Sequence, residues 1–146
     1  MTFKSIYPYT QELIAEYPLM SEDAIGQSIA LAEKTFPRWS QTSFAERATI
    51  FSTLSSLLKE RKETLGTLIT NEMGKVISES IAEVEKCAYV CDYYAEHAER
   101  FLQDEMHEAG YKRSFVAYEP IGAVLGIMPW NFPFWQVFRY AAPTLM

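Results

Sequence analysis

Apolar residues recur at helical spacing in three stretches of the first hundred residues. In the first stretch Ile25, Ile29, Ala32 and Phe36 form one apolar stripe. Ser21 precedes it as a typical helix cap, and we expect Pro37 to end the helix.

The second stretch begins with Ser43 and Glu46, which have the spacing of a capping box. Its helical period continues to Met73, and Gly74 is suited to the residue after the helix. We therefore predict one long second helix.

The third stretch is the most regular. Its stripe consists of Ile77, Ile81, Val84, Ala88, Cys91, Ala95, Ala98 and Leu102. The opposite face carries Glu79, Glu83, Lys86, Glu96 and Arg100, and we predict that this face is solvated.

The period changes in the last third of the chain. Apolar and polar residues alternate over Tyr111–Tyr118, which predicts a strand with one solvent-exposed face. Phe3–Tyr9 is at most an edge strand or an extended arm. The apolar run Ala123–Met128 predicts a strand buried on both faces, as in a parallel sheet. A helix is expected from about Phe134.

A stiff turn separates that strand from that helix. Pro129 and Pro133 can neither donate to nor continue a sheet ladder, and Trp130, Asn131 and Phe132 lie between them. Asn131 is thus predicted at the carboxyl end of a parallel strand, where open α/β sheets bind their ligands.

These residues carry a resemblance to a known family. Glu119-Pro-Ile-Gly122, followed by Gly126-Ile-Met-Pro-Trp-Asn-Phe-Pro133, resembles the start of the coenzyme-binding sheet in NAD(P)-dependent aldehyde dehydrogenases. Glu72-Met-Gly-Lys75 and the leading helices fit more weakly. The resemblance covers nearly all of the chain but only about the first third of such an enzyme.

The resemblance implies an α/β fold, the N-terminal part of a Rossmann-like coenzyme-binding domain with three leading helices. It implies a helical part over 1–102, bridging and oligomerisation strands over 103–120, and the first Rossmann strand, turn and helix start over 121–146. Strand segments such as 103–120 also imply a homodimer or homotetramer at full length, since a strand without an internal partner is a candidate for pairing outside its domain.

The resemblance also implies a reaction. In the family a cysteine thiolate attacks an aldehyde, hydride leaves to NAD or NADP, and a glutamate-activated water hydrolyses the thioester. Asn131 would stabilise the oxyanion, and Ile127, Met128, Pro129, Trp130 and Asn131 would line the nicotinamide site. From the residues alone, Asn131 could instead satisfy turn backbone, and Ile127 and Met128 could be sheet core.

Arg139 indicates the substrate. It lies eight residues after Asn131, where succinate-semialdehyde dehydrogenases have an arginine that meets the substrate carboxylate. Trp135 and Gln136 would line the aldehyde tunnel. Two alternatives stay open: Arg139 forms an internal ion pair and the aldehyde is neutral, or the chain is a non-catalytic helical interaction module.

Neither cysteine is predicted to be the nucleophile. Cys87 and Cys91 lie one turn apart within an apolar stripe, and with His97 and His107 they make a poor zinc pattern, so we predict no metal site.

The composition argues against some classes of binding partner. The chain has 146 residues, 49% of them hydrophobic, and a formal net charge of -6 without a basic cluster, which argues against nucleic acid. No apolar run reaches the ~20 residues of a membrane helix, and no secretory signal is visible, so we expect no membrane partner and a cytoplasmic location. The apolar run Trp135–Met146 stops without a cap, so we expect a truncated chain that is inactive alone.

Overall fold

The computed structural model describes residues 2–146, and its elements follow the order ββααααββα. The strands are β1 (Thr2–Ile6), β2 (Leu13–Pro18), β3 (Glu105–Met106) and β4 (Phe115–Val116). The helices are α1 (Glu22–Ser40), α2 (Phe44–Glu60), α3 (Lys62–Met73), α4 (Ile77–Phe101) and α5 (Pro133–Leu145). Across this part of the chain every helix is too short or too polar to span a lipid bilayer.

Helix α4 forms the centre of the core, and α2, α3 and α5 pack against it. The two end residues of its predicted apolar stripe, Ile77 and Leu102, are exposed, but the middle of the stripe is confirmed, since Val84, Ala88 and Cys91 are fully buried. They pack with buried residues of the surrounding helices, which include Phe51, Leu58, Ile69 and Ala142. Burial of such a stripe is the main stabilising term for a helix of this kind.

The helix starts follow the sequence closely. Ser21 accepts a hydrogen bond from the N–H of Ala24, and Ser43 and Glu46 form the complete capping box. Gly74 ends α3 in the left-handed conformation, with φ of 69°, where a Cβ would be strained.

Two predicted helix ends were wrong. α1 continues through Pro37 to Ser40, because a proline in the last turn removes only one backbone hydrogen bond. The predicted second helix is two helices, broken at Arg61. Gly66 of α3 lies directly against Ile81 of α4.

The strands match the prediction only in part. β1 pairs with β2 in an antiparallel hairpin, so the start of Phe3–Tyr9 is an edge strand as expected, but β2 was not predicted. The strand predicted over Tyr111–Tyr118 is reduced to β4, and β4 has an internal partner in β3. Both sheets within residues 2–146 have two strands.

The predicted buried strand Ala123–Met128 does not form. Residues 117–129 have no regular secondary structure, and Leu125 and Ile127 are 85% and 86% exposed. A strand buried on both faces needs hydrogen-bonded neighbours at both edges, and no described segment provides one. The helix predicted from Phe134 is confirmed as α5.

Candidate functional site

A cleft of about 560 Å³ lies between α4 and the start of α5. The later side of the chain contributes Asn131, Phe132, Trp135, Gln136 and Arg139. The earlier side contributes Lys75, Glu79, Ala82, Glu83 and Lys86. The structure therefore brings together four residues whose roles were predicted, namely Asn131, Trp135, Gln136 and Arg139.

Helix α5 has an unusual start. Its N-cap residue is Phe132, which offers no side-chain acceptor, and its first residue is Pro133, which has no N–H. The N–H groups of Phe134 and Trp135 both donate to Oε1 of Glu83, each at 3.0 Å. A carboxylate from α4 thus caps α5 from across the core.

Glu83 was predicted on a solvated face, and this prediction was wrong. The residue is only 4% exposed, and its Oε2 accepts from Nζ of Lys75 at 2.6 Å. A charge at such a depth is tolerated only when it is paired and hydrogen-bonded, and Glu83 has three donors. The α4 stripe alone could not reveal this, because two of the three donors belong to residues about fifty positions later.

The Asn131 side chain is exposed and lines the cleft. Because Glu83 caps α5, the Asn131 carboxamide is not needed as an N-cap, and it makes no hydrogen bond with any described residue. The alternative in which this side chain satisfies turn backbone is therefore absent from the structure. Its NH2 group is available to a ligand in the cleft.

The cleft carries three cationic side chains and two carboxylates. Lys75 is paired with Glu83, but neither Lys86 nor Arg139 forms an ion pair with a described residue. Nζ of Lys86 instead lies 3.9 Å from the ring centroid of Trp135, a cation–π contact. With only Glu79 opposing these two cations, the cleft favours an anionic group.

The predicted nicotinamide-side residues lie elsewhere. Asn131 lines the cleft, but Ile127, Met128, Pro129 and Trp130 do not. Ile127 and Trp130 are 86% and 80% exposed, so the alternative of a sheet core also fails for Ile127. Their backbone groups belong to no strand ladder and can take an external partner.

Cys87 and Cys91 are buried and unreactive. Burial raises the pKa of the Cys87 thiol to about 12 and that of the Cys91 thiol to about 11. Neither can supply a thiolate near neutral pH. Among residues 2–146, no group of three His, Cys, Asp or Glu side chains is placed to hold a metal ion.

Six cleft residues were not given a site role from the sequence, and three of them, Glu83, Lys75 and Lys86, carry charge that bears on the site. For Glu83 and Lys75 the sequence holds one partial signal: α5 begins Phe132-Pro133 without a polar cap, so it needs an acceptor from elsewhere, but nothing local shows which residue provides it. Lys86 has no such signal, since a lysine on an exposed helix face is ordinarily solvated.

Comparison with known proteins identifies the family. The sequence model of the aldehyde dehydrogenase family matches residues 1–146. The chain belongs to the aldehyde dehydrogenase family. The resemblance carried by the Pro129–Pro133 turn is thereby confirmed.

Individual relatives support the assignment of this chain to the aldehyde dehydrogenase family. A probable succinate-semialdehyde dehydrogenase [NADP(+)] of Synechocystis is 42% identical over 100% of this chain and 32% of the relative. The succinate semialdehyde dehydrogenase [NAD(P)+] of Escherichia coli K12 is 39% identical over 97% of this chain and 31% of its own. The chain thus spans about a third of the length of these relatives.

A solved structure shows the same fold. Succinic semialdehyde dehydrogenase of Streptococcus pyogenes, in complex with NADP+, superposes with a TM-score of 0.93 at 28% identity. The match covers 97% of this chain and 31% of that one. The helices and hairpins described above are therefore the N-terminal part of an aldehyde dehydrogenase fold.

Proposed function

We propose that this chain supplies the N-terminal part of an NAD(P)-dependent dehydrogenase that oxidises succinate semialdehyde to succinate. One observation carries the proposal: Asn131 and Arg139 line the same cleft, and Arg139 has no carboxylate partner among residues 2–146. The names of the Synechocystis and Escherichia coli relatives support the same substrate.

Asn131 would act on the aldehyde end of the substrate. When a thiolate from outside residues 1–146 adds to the carbonyl carbon, negative charge develops on the carbonyl oxygen. A side-chain N–H already aimed at that oxygen stabilises the transition state more than the ground state. The free carboxamide in the cleft is suited to this role, because no internal contact has to be broken first.

Arg139 would bind the carboxylate end. Its guanidinium presents paired N–H donors that match the two oxygens of a carboxylate. Lys86 adds a second positive charge on the opposite side of the cleft. Phe132 and Trp135 offer apolar surface for the two methylene groups between the substrate's ends.

NAD or NADP would accept the hydride released from the carbonyl carbon. Residues 127–130 fit a contact with its nicotinamide side, because their backbone groups are unpaired and accessible in this structure. The Synechocystis relative is named as an NADP(+) enzyme and the Escherichia coli relative as an NAD(P)+ enzyme, so NADP is the first cofactor to test.

The test compares two substrates and two variants in the full-length enzyme that carries this chain. Arg139→Ala should lower kcat/KM for succinate semialdehyde about 10- to 100-fold and leave butanal nearly unchanged, since only the first substrate loses a charged hydrogen bond. Asn131→Ala should lower kcat for both substrates about 10²- to 10³-fold. If Arg139→Ala reduces turnover of both substrates equally, the carboxylate role of Arg139 is wrong.

A second candidate keeps the enzyme and changes the substrate. The aromatic surface of Phe132 and Trp135 would also accept a neutral aldehyde. In that case the wild-type enzyme would turn over butanal at least as well as succinate semialdehyde.

Assembly, location and domain boundaries stay predictions. We propose a homodimer or homotetramer that uses the 103–120 segment, in the cytoplasm, with an aldehyde as the small-molecule partner. Analytical ultracentrifugation of the full-length enzyme would test the oligomeric state.

A further inference from the structure

The start of α5 needs an acceptor that its own sequence does not contain. The first turn of a helix leaves backbone N–H groups without intrahelical partners. In α5 the N–H of Gln136 reaches the carbonyl of Phe132 at 3.0 Å, and Pro133 has no N–H. Phe134 and Trp135 are left, and their N–H groups need a partner from elsewhere.

Glu83 meets this need and is itself held in place. Its Oε1 accepts both N–H groups, and its Oε2 accepts from Lys75, whose side chain is also largely buried. The negative charge lies at the positive end of the α5 dipole, where a carboxylate interacts favourably with the helix. Nζ of Lys75 also lies 3.9 Å from the ring centroid of Phe132, the residue next to Asn131.

The cap therefore acts on both ends of the proposed substrate site. Asn131 lies immediately before Phe132, and Arg139 lies on the capped helix. A shift of α5 relative to α4 would move both side chains within the cleft. Misplacement by about 1 Å can cost about 10²-fold in rate when groups must meet in a fixed geometry.

We propose that Glu83, whose carboxylate Lys75 holds in place, is a positioning residue that sets where Asn131 and Arg139 lie in the cleft. The kinetic part of this inference rests on the proposed function. The structural part, that Glu83 protects the first turn of α5, does not depend on it.

The experiment uses four variants of the full-length enzyme: Glu83→Ala, Glu83→Gln, the double variant Lys75→Met/Glu83→Gln, and Glu85→Ala. Glu85 is the matched control, a glutamate on the same helix that pairs with a lysine, Lys62, but lies outside the cleft. Hydrogen exchange is measured by mass spectrometry over residues 131–138, and kcat and KM are normalised to the folded fraction.

Glu83→Ala should raise exchange of the Phe134 and Trp135 amides at least about 10-fold, because their acceptor is gone. It should lower kcat about 10- to 100-fold for succinate semialdehyde and for butanal alike. Glu83→Gln keeps an acceptor oxygen and should restore part of both losses. The double variant removes the unpaired lysine as well and should restore more, whereas Glu85→Ala should match the wild type.

Two results would overturn the proposal. One is wild-type exchange over 131–138 in Glu83→Ala. The other is a fall in kcat that disappears after correction for the folded fraction, which would make Glu83 a stability residue only. If the wild-type enzyme oxidises neither substrate, the proposed function fails, and the exchange measurement still decides whether Glu83 caps α5.

Discussion

At the scale of single residues, burial decides which titratable groups can react. Cys87 and Cys91 lie one turn apart on the face of α4 that is packed against the other helices, and both are fully buried. For Cys87 the largest cause of the raised pKa is desolvation, followed by the charge of Glu83. The same burial that makes α4 the core of the fold removes both thiols from chemistry.

We therefore predict that iodoacetamide labels these thiols very slowly in the native protein. Trypsin should release both in one peptide, 87–100, because Lys86 and Arg100 flank them. Mass spectrometry of that peptide should show little alkylation at pH 8 and rapid alkylation in urea. Rapid labelling of the native protein would show that one thiol is accessible or ionised.

The same pKa shift gives a stability effect with a definite sign. The pKa of the Cys87 thiol rises from about 9 in the unfolded chain to about 12 in the folded chain, so folding favours the protonated form. Its contribution is complete below pH 9 and is lost as pH rises toward 12. Above pH 9 the unfolding midpoint of the wild type should therefore fall relative to that of the Cys87→Ala/Cys91→Ala variant, which has no thiol to ionise.

At the scale of secondary-structure elements, α3 and α4 approach each other closely at Gly66, which has no side chain to separate them. A Cβ at Gly66 of α3 would lie 2.7 Å from Cγ1 and 3.1 Å from the backbone N of Ile81 in α4. Neither atom is the free end of a flexible side chain, so the two helices would have to separate. Gly26 of α1 is also helical, but a Cβ there meets nothing within 4 Å.

This pair of glycines gives a matched prediction. Gly66→Ala should destabilise the protein by about 1–2 kcal/mol, since overpacking outweighs the better helix propensity of alanine. Gly26→Ala should stabilise it by about 0.5–1 kcal/mol through propensity alone. Urea unfolding followed by circular dichroism would measure both. A stabilising Gly66→Ala would mean that α3 and α4 do not meet as described.

The helix starts and ends could be predicted where their signals lie close in the sequence. Features that depend on contacts between distant segments could not be predicted. The caps at Ser21, Ser43 and Gly74 depend on neighbours within four residues, and all three are confirmed. The break at Arg61 depends instead on how α3 packs against α4. The failure of the Ala123–Met128 strand has the same origin, because a strand needs partners that its own sequence does not specify.

The candidate site also has a part that could be predicted from the sequence and a part that could not. The turn that holds Asn131 and the position of Arg139 could be recognised from spacing and resemblance. The cap by Glu83 could not, since it joins α4 to α5 across about fifty residues. Its discovery required the burial of a charge on a helix face that the pattern assigned to solvent.

At the scale of the whole molecule, one segment exposes several large apolar side chains close together in the sequence. Ile121, Leu125, Ile127 and Trp130 are all at least 80% exposed, in the segment that leads to the cleft. Contiguous exposed apolar surface marks a region of contact. The relatives that share this segment are about three times as long, as the covered third of the Synechocystis protein shows.

We therefore predict that purified residues 1–146 alone produce no reduced cofactor from any aldehyde. The chain has two cysteines, both buried with raised pKa, so it offers no thiolate for attack on the carbonyl carbon. Succinate semialdehyde and NADP would be supplied together, and the absorbance of the reduced nicotinamide would be followed. An aldehyde-dependent rise would contradict both this prediction and the mechanism proposed for the cleft.

A companion experiment adds the remaining part of a related enzyme to residues 1–146. The part of the Synechocystis relative that follows its matched third would be co-expressed with residues 1–146. We expect the two parts together to reduce NADP, because this chain matches the missing third of the relative over its whole length at 42% identity, while neither part does so alone. Asn131→Ala in the short part should lower turnover about 10²- to 10³-fold without preventing co-purification. If the variant also fails to co-purify, Asn131 contributes to the contact between the parts and its proposed role in the cleft is wrong.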